Sequence, residues 1–340
     1  MRQNFPATVL VALLLAACGS DRSGDEHVLQ GSAMGTRFSV TIAEPLTTEQ
    51  QNQLQGDVDR TIARVEDAMS TFLLESDISR FNASRSTDWI EVSASVCGAV
   101  EVSLDISELS RGAFDITVGP LVNLWGFGPA TVQLAPPPAD EVAAARDRVG
   151  YRRLHADCSR PALKKDRPDV YIDLSAYAKG YAVDRVADLL DERQIENYLV
   201  EIGGELCMHG TNGEREPWSI GIEKPTDAGR TVQLKLRLTD RAMATSGDYR
   251  NYFVYEGKRY SHLIDAREGR PVDHNLASVT VIADETAYAD AVATAILVLG
   301  PSEGMALAVQ EDIAAYFQIR TEDGFIEEMS PAFKTIEQHQ

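Results

Sequence analysis

Two hydrophobic periodicities alternate along this chain, and together they limit the folds that it can adopt. Residues Asp57 to Met69 and Ser93 to Ser110 carry apolar side chains every three or four positions, which indicates helices with one buried face. Short apolar runs of strand length follow them, the clearest being Tyr198 to Ile202 and Ala277 to Ala283. Helices between well-separated strands, with hairpins in the second half, predict a mixed α/β (α+β) fold.

The same patterns predict the remaining elements. No Gly-rich dinucleotide fingerprint follows the first strand, which argues against a Rossmann domain. Proline-rich Pro129 to Asp140 predicts a loop. Further strands and hairpins are predicted at Ser32 to Ile42, Val170 to Leu174, Trp218 to Glu223, Thr231 to Leu238, Tyr252 to Tyr255 with Arg259 to Leu263, and Ala314 to Ile319 with Phe325 to Met329. Further helices are predicted at Ser175 to Leu190 and Thr286 to Leu299.

The N-terminus predicts an export signal rather than a membrane-spanning helix. The apolar run from Val9 to Ala17 is shorter than the roughly 20 residues that such a helix needs. Leu15-Ala16-Ala17-Cys18 resembles a bacterial lipobox, whose cysteine is lipidated; an ordinary signal peptide with a chance cysteine is the alternative. We expect a signal peptide over 1–17, a lipidated polar tether over 18–30 and one domain over 31–335. The expected location is the periplasm, anchored to a membrane whose identity stays open, with the inner membrane preferred to the outer.

Charge and cysteine content narrow the classes of ligand. A net charge of −20 argues against nucleic acid, and it means that an anionic ligand needs local help from a metal or from helix N-termini. Cys97, Cys158 and Cys207 have no C-x-x-C spacing, so no zinc site is indicated. One disulfide is compatible with an oxidising compartment, and the sequence does not choose its pair.

Two segments combine glycines with polar or aromatic residues. Gly112 to Gly128 allows close backbone approach beside an aromatic surface, although a glycine-rich turn between core elements would look the same. Asp173 to Asp184 brings a carboxylate to the start of a predicted helix, whose free N–H groups favour a phosphate. Asp173 and Ser175 are equally well explained as N-caps of that helix.

Two further segments offer acid–base and metal chemistry. His262 has Asp265 three residues later, and a histidine beside a carboxylate can accept a proton near neutral pH. An ordinary structural histidine is the alternative, and Asp265 could pair with Arg267 instead. Asp290 and Thr294 share one helix face, and their hard oxygen atoms suit Mg²⁺. The alternative for this pair is a polar stripe at a helix N-terminus.

Taken in order, these segments resemble the ApbE family of FAD:protein FMN transferases. Each match alone is weak, but the matches cover about Gly31 to Gly300 in one consistent order. They are Met34-Gly35-Thr36, Met69-Ser70-Thr71-Phe72, Asp77-Ile78-Ser79-Arg80-Phe81-Asn82, Gly112 to Gly128, Asp173 to Asp184, Gly203-Gly204-Glu205, Thr245-Ser246-Gly247-Asp248-Tyr249, Ser261 to Asp265 and Asp290 to Thr294. Two departures are Ala266, where family members often have proline, and Phe72, where many have tyrosine.

The resemblance implies a mixed α/β architecture related to the T-fold, with mixed sheets and packed helices, and a set of site residues. His262 matches a catalytically important histidine, with Asp265 as a nearby carboxylate. The Mg²⁺ ligands would be Asp290 and Thr294 with the backbone of Ala176 and Ala293. FAD, as the substrate, would contact Met34, Phe72, Ala113, Phe114, Asp115, Asp173, Lys179 and Ile264.

The resemblance also implies a reaction and its partners. FMN would be transferred from FAD to a threonine or serine hydroxyl, with release of AMP. The implied acceptors are extracytoplasmic electron-transport subunits, such as those of sodium-translocating NADH:quinone reductase (Nqr) and Rnf-type complexes. Two alternatives remain open at this point: an FAD pyrophosphatase that yields FMN and AMP, and a non-catalytic FAD-binding lipoprotein.

Overall fold

The computed structural model describes residues 26–129, 135–226 and 231–339. The helices in these ranges are α1 (Thr48–Met69), α2 (Asp77–Ala83), α3 (Ala94–Leu109), α4 (Gly119–Leu124), α5 (Ala139–Arg146), α6 (Ala178–Glu192), α7 (Thr286–Gln310) and α8 (Pro331–Gln338). The strands are β1 (His27–Ala33), β2 (Thr36–Ile42), β3 (Ile90–Glu91), β4 (Leu154–Asp157), β5 (Ala162–Lys165), β6 (Tyr198–Ile202), β7 (Glu205–His209), β8 (Trp218–Glu223), β9 (Val232–Leu238), β10 (Arg241–Gly247), β11 (Tyr252–Tyr255), β12 (Lys258–Ser261), β13 (Ile264–Asp265), β14 (Arg270–Pro271), β15 (Leu276–Ala283), β16 (Ala314–Thr321) and β17 (Gly324–Met329). The predicted mixed α/β class is confirmed.

An antiparallel sheet forms the centre of the fold. In the part of the chain that the structure describes, it has eight strands in the order β1-β2-β6-β7-β10-β15-β16-β17. One face packs against α1, α6 and α7, and the other is covered by the β8–β9 pair and α8. Alternation along the strands supplies both faces: in β15, Val281 joins the helical core, whereas Ile282 packs in the cluster of β8, β9 and α8. Burial on both faces explains why β15 is buried along almost its whole length and is mostly apolar.

Helices α6 and α7 cross in close contact beneath the sheet. A Cβ at Gly180 would lie 2.4 Å from the Thr286 carbonyl oxygen and 2.7 Å from Ala287 Cα, so only glycine allows this approach. The carboxylate of Asp184 in α6 accepts hydrogen bonds from the N–H groups of Thr286 and Ala287, each at 2.8 Å. Asp184 therefore caps the N-terminus of α7 from a neighbouring helix.

The N-terminal boundary of the folded domain differs from the prediction. Strand β1 begins at His27, so residues 27–30 belong to the sheet, and the expected tether over 18–30 is wrong in that part. The predicted single strand from Ser32 to Ile42 is a hairpin, because Met34 and Gly35 take left-handed backbone angles (φ 53° and 71°) and form a two-residue turn. The signal peptide over 1–17 and Cys18 lie outside the described residues.

The segment before α6 also differs from the prediction. Residues 170–174 have no regular secondary structure and join no sheet, and α6 begins at Ala178 instead of Ser175. Sequence periodicity could not reveal this, because the segment is as apolar as a buried strand: Val170, Ile172 and Leu174 are all buried. Side chains and loops satisfy its backbone, as described below.

Helix α7 is longer than predicted and contains a break. It extends from the predicted start at Thr286 to Gln310, with a non-helical glycine, Gly300 (φ 80°), just before Pro301. The helix is long and apolar enough to cross a membrane, but more than half of its most apolar stretch is buried inside the protein. Its apolarity is therefore that of a core helix that touches the sheet and α6.

A disulfide joins Cys97 to Cys158, which the sequence left undecided among three cysteines. It connects α3 to the turn between β4 and β5, and the linked cysteines are 61 positions apart. The third cysteine, Cys207, is a free thiol in β7, and burial raises its pKa to about 12, so it stays protonated and unreactive.

Loss of this disulfide is expected to destabilise the domain. Replacing Cys97 and Cys158 together by serine should lower the free energy of unfolding by about 2–4 kcal/mol, because the bond restricts a long loop of the unfolded chain. Urea unfolding with and without dithiothreitol measures this difference. The Cys207→Ser variant is the control and should keep the reductant sensitivity of the parent protein. Identical unfolding midpoints for the parent protein with and without dithiothreitol would contradict this role.

Candidate active site

One cavity of about 1560 Å³ gathers most of the predicted site residues. It is larger than the roughly 300–1,000 Å³ of typical small-molecule sites, so it has room for a dinucleotide. Its walls come from the β1–β2 turn, the α1–α2 loop, the segments before α4 and α6, the β6–β7 turn, β10, the segment after β12, and α7. The predicted residues that line it are Met34, Phe72, Ala113, Phe114, Asp115, Asp173, Ala176, Lys179, His262, Ile264, Asp290 and Thr294.

Met34 and Phe72 lie where two loops reach the cavity. The Met34 N–H donates to Glu66 Oε1 at 2.7 Å, which ties the β1–β2 turn to α1. The Phe72 side chain is 66 % exposed, in a loop where Leu73 and Leu74 are exposed as well. An aromatic ring presented in this way offers a flat face to a planar ligand.

Asp115 lines the cavity, but its carboxylate already accepts hydrogen bonds from other residues of the protein. One oxygen accepts from the Thr117 N–H at 2.7 Å and the Thr117 hydroxyl at 2.6 Å, and the other accepts from the Tyr151 N–H at 2.9 Å. Burial raises the pKa of Asp115, and these hydrogen bonds counteract part of that rise. The carboxylate therefore orders the Ala113–Asp115 wall, and its predicted contact with FAD stays a prediction.

Asp173 and Ala176 belong to the irregular segment and turn that precede α6. Asp173 Oδ1 accepts from the Ser175 N–H at 2.9 Å and from the Ser175 hydroxyl, which makes a side-chain-capped turn. This turn precedes α6 rather than capping it, since the N-cap residue of α6 is Tyr177, with no side-chain cap. The N-cap interpretation is therefore wrong for Asp173 and Ser175, and the predicted nucleotide contact of Asp173, which lines the cavity, stays a prediction.

A buried charge cluster lies where α6, α7 and β7 meet. The Lys179 ammonium group is 3.0 Å from Glu205 Oε1 and 3.2 Å from Asp290 Oδ2, and Asp290 Oδ2 also accepts from the Gly180 N–H at 3.1 Å. Burial alone would lower the pKa of Lys179, but Asp290 and Glu205 outweigh it and raise that pKa. Burial raises the pKa of Glu205, and Lys179 offsets only part of the rise.

The donors around Asp290 fit a hard divalent cation. Asp290 and Thr294 are one turn apart on α7, and the Thr294 hydroxyl lies 2.8 Å from the Ser246 hydroxyl of β10. The Glu205 Oε2 atom is buried and has no hydrogen-bond partner among the described residues. This oxygen is therefore available to bind a cation or to accept a hydrogen bond. Within the described ranges, no three His, Cys, Asp or Glu side chains cluster as a complete metal cage. That is compatible with Mg²⁺, which usually keeps water and substrate phosphates as ligands.

His262 is held in one orientation after the β11–β12 hairpin. Its backbone N–H donates to the Asn251 carbonyl oxygen at 3.0 Å, and its Nδ1 is 3.1 Å from the same oxygen. Because a carbonyl oxygen only accepts, Nδ1 must carry the hydrogen, which leaves Nε2 free to accept a proton. Burial lowers the pKa of His262, and so favours this neutral form. The Phe127 ring packs edge-on against the imidazole.

Two predicted site residues do not line the cavity. Asp265 does not contact His262; its carboxylate binds the Arg267 guanidinium at 2.7 Å and the Arg267 N–H at 2.8 Å. This is the structural pairing that the sequence left open, so the predicted catalytic role of Asp265 finds no support in the arrangement. Ala293 is fully buried inside α7 and is absent from the cavity wall. Cys18 lies outside the described residues.

Glu205, Ser246 and Asn251 are among the residues that contact predicted site groups without having been predicted themselves. Glu205 holds Lys179, Ser246 holds Thr294, and the Asn251 carbonyl orients His262. Glu205 and Ser246 lie in segments that carry the family resemblance, so their positions could have been noticed. Asn251 acts through its backbone, which leaves no residue-type signal in a sequence.

Comparisons with known proteins show the family of this chain. The sequence model of the ApbE family matches residues 34–317. The chain belongs to the ApbE family. An FAD:protein FMN transferase of Vibrio cholerae is 41% identical over 326 residues, which cover 96% of this chain and 97% of that one. An FAD:protein FMN transferase of Escherichia coli K12 is 37% identical over 346 residues, with 99% and 98% covered.

Solved structures of ApbE proteins share the fold. The flavin transferase ApbE from Vibrio cholerae superposes with a TM-score of 0.85 at 40% identity, and the match covers 92% of this chain and 99% of that one. The ApbE protein from Thermotoga maritima gives a TM-score of 0.82 at 29% identity, with 92% and 99% covered. The predicted ApbE membership is therefore confirmed.

Removing the ammonium group of Lys179 should destabilise the ApbE fold in a pH-dependent way. We expect Lys179→Met to lower the free energy of unfolding by about 3 kcal/mol at pH 8, because two buried carboxylates lose their cation. The loss should be smaller at pH 5. A carboxyl group whose pKa is raised by folding favours the folded state at low pH, and that contribution disappears as the pH rises through the folded pKa.

Chemical denaturation at the two pH values measures this effect. Lys258→Met is the matched control, since Lys258 pairs with Asp273 at the surface, where both side chains are about half exposed or more. Its loss should stay within about 1 kcal/mol at both pH values. Equal destabilisation of Lys179→Met at pH 5 and pH 8 would show that the buried carboxylates do not depend on Lys179.

Proposed function

We propose that this protein is an FAD:protein FMN transferase, which moves the FMN part of FAD onto a threonine or serine hydroxyl of another protein and releases AMP. The observation that carries the proposal is the convergence of Asp290, Thr294 and His262 on one dinucleotide-sized cavity. The names of relatives that match nearly the whole chain support the same activity.

The charge of the cavity suits a pyrophosphate only with added positive charge. The whole chain carries a net charge of −20, and Asp290 and Glu205 together outweigh Lys179 within the cluster. Mg²⁺ would be held by Asp290, Thr294 and the Ala176 backbone, and when bound it would neutralise charge on the phosphate oxygens. Lys179 supplies the fixed positive charge of this wall and keeps Asp290 oriented before the substrate enters.

His262 provides the group that accepts a proton in this reaction. The acceptor hydroxyl oxygen forms a bond to the FMN-side phosphorus, and the bond from that phosphorus to the bridging oxygen breaks. The bridging oxygen leaves with AMP, and the proton of the hydroxyl passes to Nε2 of His262, since Nδ1–H is held by Asn251. Beyond this proton transfer the residues contribute alignment and charge, as in other phosphoryl transfers.

The proposal includes a place and a class of acceptor. We place the protein in the periplasm, attached to a membrane through lipidated Cys18. The Cys97–Cys158 disulfide supports an oxidising compartment. The acceptors that we propose are extracytoplasmic subunits of redox complexes of the Nqr or Rnf type, which carry FMN on a threonine.

A transfer assay tests the proposal directly. Purified full-length protein is incubated with FAD, Mg²⁺ and a candidate acceptor domain, and in-gel flavin fluorescence and the acceptor mass are recorded. We expect labelling of the acceptor and none of its Thr→Ala variant. Free FMN and AMP without labelling would instead indicate a pyrophosphatase, and bound FAD without either product would indicate a binding protein.

The Asp290→Asn variant tests the metal site in the same assay. Its Mg²⁺-dependent transfer should fall at least about 100-fold, because a neutral amide is a poor ligand for Mg²⁺. Asp284→Asn is the matched control; Asp284 is exposed, pairs with Arg241 and does not line the cavity. Full transfer by Asp290→Asn would remove Asp290 from the metal site.

The pH dependence of kcat/KM tests the role of His262 as the proton acceptor. Since burial lowers the pKa of His262, the imidazole stays neutral below the usual value of about 6.5, and the acidic fall in kcat/KM should be centred below that pH. His262→Ala should lose about 10²- to 10⁴-fold in kcat and this acidic fall with it. His155→Ala, which removes an exposed partner of Asp166, should leave the profile unchanged. An unchanged acidic limb in His262→Ala would assign that limb to another group.

A further inference from the structure

The segment that carries Asp173 and Ala176 has an unusual source of hydrogen bonds. Residues 170–174 have no regular secondary structure and join no sheet. At Ile172, the side chain of Asn82 makes the two hydrogen bonds that a neighbouring strand would otherwise make. The Ile172 N–H donates to Asn82 Oδ1 at 2.7 Å, and Asn82 Nδ2 donates to the Ile172 carbonyl oxygen at 2.8 Å. One amide thus satisfies both backbone groups of a residue 90 positions away.

Residues 170–174 are also held by hydrogen bonds at Asp173 and at Val170. The Asp173 N–H donates to the Ile116 carbonyl oxygen at 2.7 Å. The ammonium group of Lys165, fully buried, donates to the Val170 carbonyl oxygen at 3.3 Å and to the Phe81 carbonyl oxygen at 3.2 Å. Lys165 and Asn82 therefore both connect this segment to the last turn of α2.

Helix α2 also holds a second wall of the cavity. The Ser76 hydroxyl, which caps α2, donates to the Ser70 carbonyl oxygen at 2.6 Å, and the Ser79 hydroxyl lies 3.3 Å from the same oxygen. Ser70 precedes the exposed Phe72 loop. Helix α2 thus contacts the Phe72 loop at its first turn and the Asp173 segment at its last, although Asn82 itself is not part of the cavity wall.

We propose that Asn82 is a positioning residue, which sets the place of Asp173 and the Ala176 backbone by fixing the backbone of Ile172. The inference rests on the proposed function, because it assigns Asn82 a part in FAD binding and transfer. Asp173 directly follows Ile172. A shift of the Ile172 backbone would therefore move the Asp173 side chain into or out of the cavity. Without Asn82, two buried backbone groups lose their partners, and the segment must move to find others.

The test uses Asn82→Ala in the purified full-length protein. We expect kcat/KM for FAD to fall about 10- to 100-fold at a temperature where circular dichroism shows the variant folded. We also expect weaker FAD binding, by about tenfold, in a flavin fluorescence titration that needs no turnover. If Asn82→Ala does not fold, the isosteric Asn82→Asp serves: it keeps an acceptor for the Ile172 N–H, but it loses the donor to the carbonyl and should show the same losses.

A matched variant separates positioning from loss of stability. Asn197 also joins distant segments, since its Oδ1 accepts from the Thr211 N–H at 2.9 Å and its Nδ2 donates to Glu44 at 3.0 Å, but it does not line the cavity. Asn197→Ala should lower the melting temperature while FAD affinity and kcat/KM stay within about twofold of the parent.

Two results would overturn the inference. One is parental FAD affinity and kcat/KM in the folded Asn82 variant. The other is equal loss in Asn82→Ala and Asn197→Ala in proportion to their melting temperatures. If the parent protein binds FAD but transfers nothing, the proposed function fails while the FAD titration still decides the role of Asn82.

Discussion

The close crossing of α6 and α7 is the constraint on which the site depends. Glycine at position 180 lets the two helices approach until backbone meets backbone, and the carboxylates of Asp184 and Asp290 then each accept hydrogen bonds from the first turn of the opposite helix. This reciprocal capping satisfies N–H groups that would otherwise be buried without partners. It also places Lys179, Asp290 and Thr294 on rigid elements, so the charged wall of the cavity needs no rearrangement to form.

The crossing explains how a strongly acidic chain keeps a site for an anion. Asp290 is 3 % exposed, and burial of an unpaired carboxylate would be costly. Lys179 and the α6 N-terminus offset that cost, and Glu205 completes the arrangement from β7. Since Lys179 is shared between two carboxylates, the cluster keeps a net negative charge. A divalent cation and a phosphate can therefore enter together with their charges largely balanced, whereas a phosphate alone meets repulsion.

The sequence predicted elements well where a single pattern determines them, and poorly where a distant residue does. The apolar patterns of β6, β8 and α3 predicted those elements almost to the residue, because burial is a local signal. The apolar pattern of residues 170–174 predicts a strand, because no local feature of the sequence shows that Ile172 is hydrogen-bonded to Asn82. The partner of Asp265 was left open for a related reason: Arg267 binds its carboxylate at 2.7 Å, and spacing alone could not choose between Arg267 and His262.

Several loops of the cavity are held by hydrogen bonds between a side chain and the backbone. The Glu66 carboxylate holds the Met34 backbone, the Asp115 carboxylate holds Thr117 and Tyr151, and the Asn82 amide holds Ile172. Each of these bonds joins a side chain from one segment to the backbone of another, so the loop is fixed whatever its own side chains are. Residues on the cavity surface, such as the exposed Phe72, can then vary without loss of the wall that carries them. The supporting polar residues are more constrained, because each satisfies buried or partly buried backbone groups of another segment. Specificity can therefore change at the cavity surface, while the shape of the cavity depends on the side chains that hold its backbone.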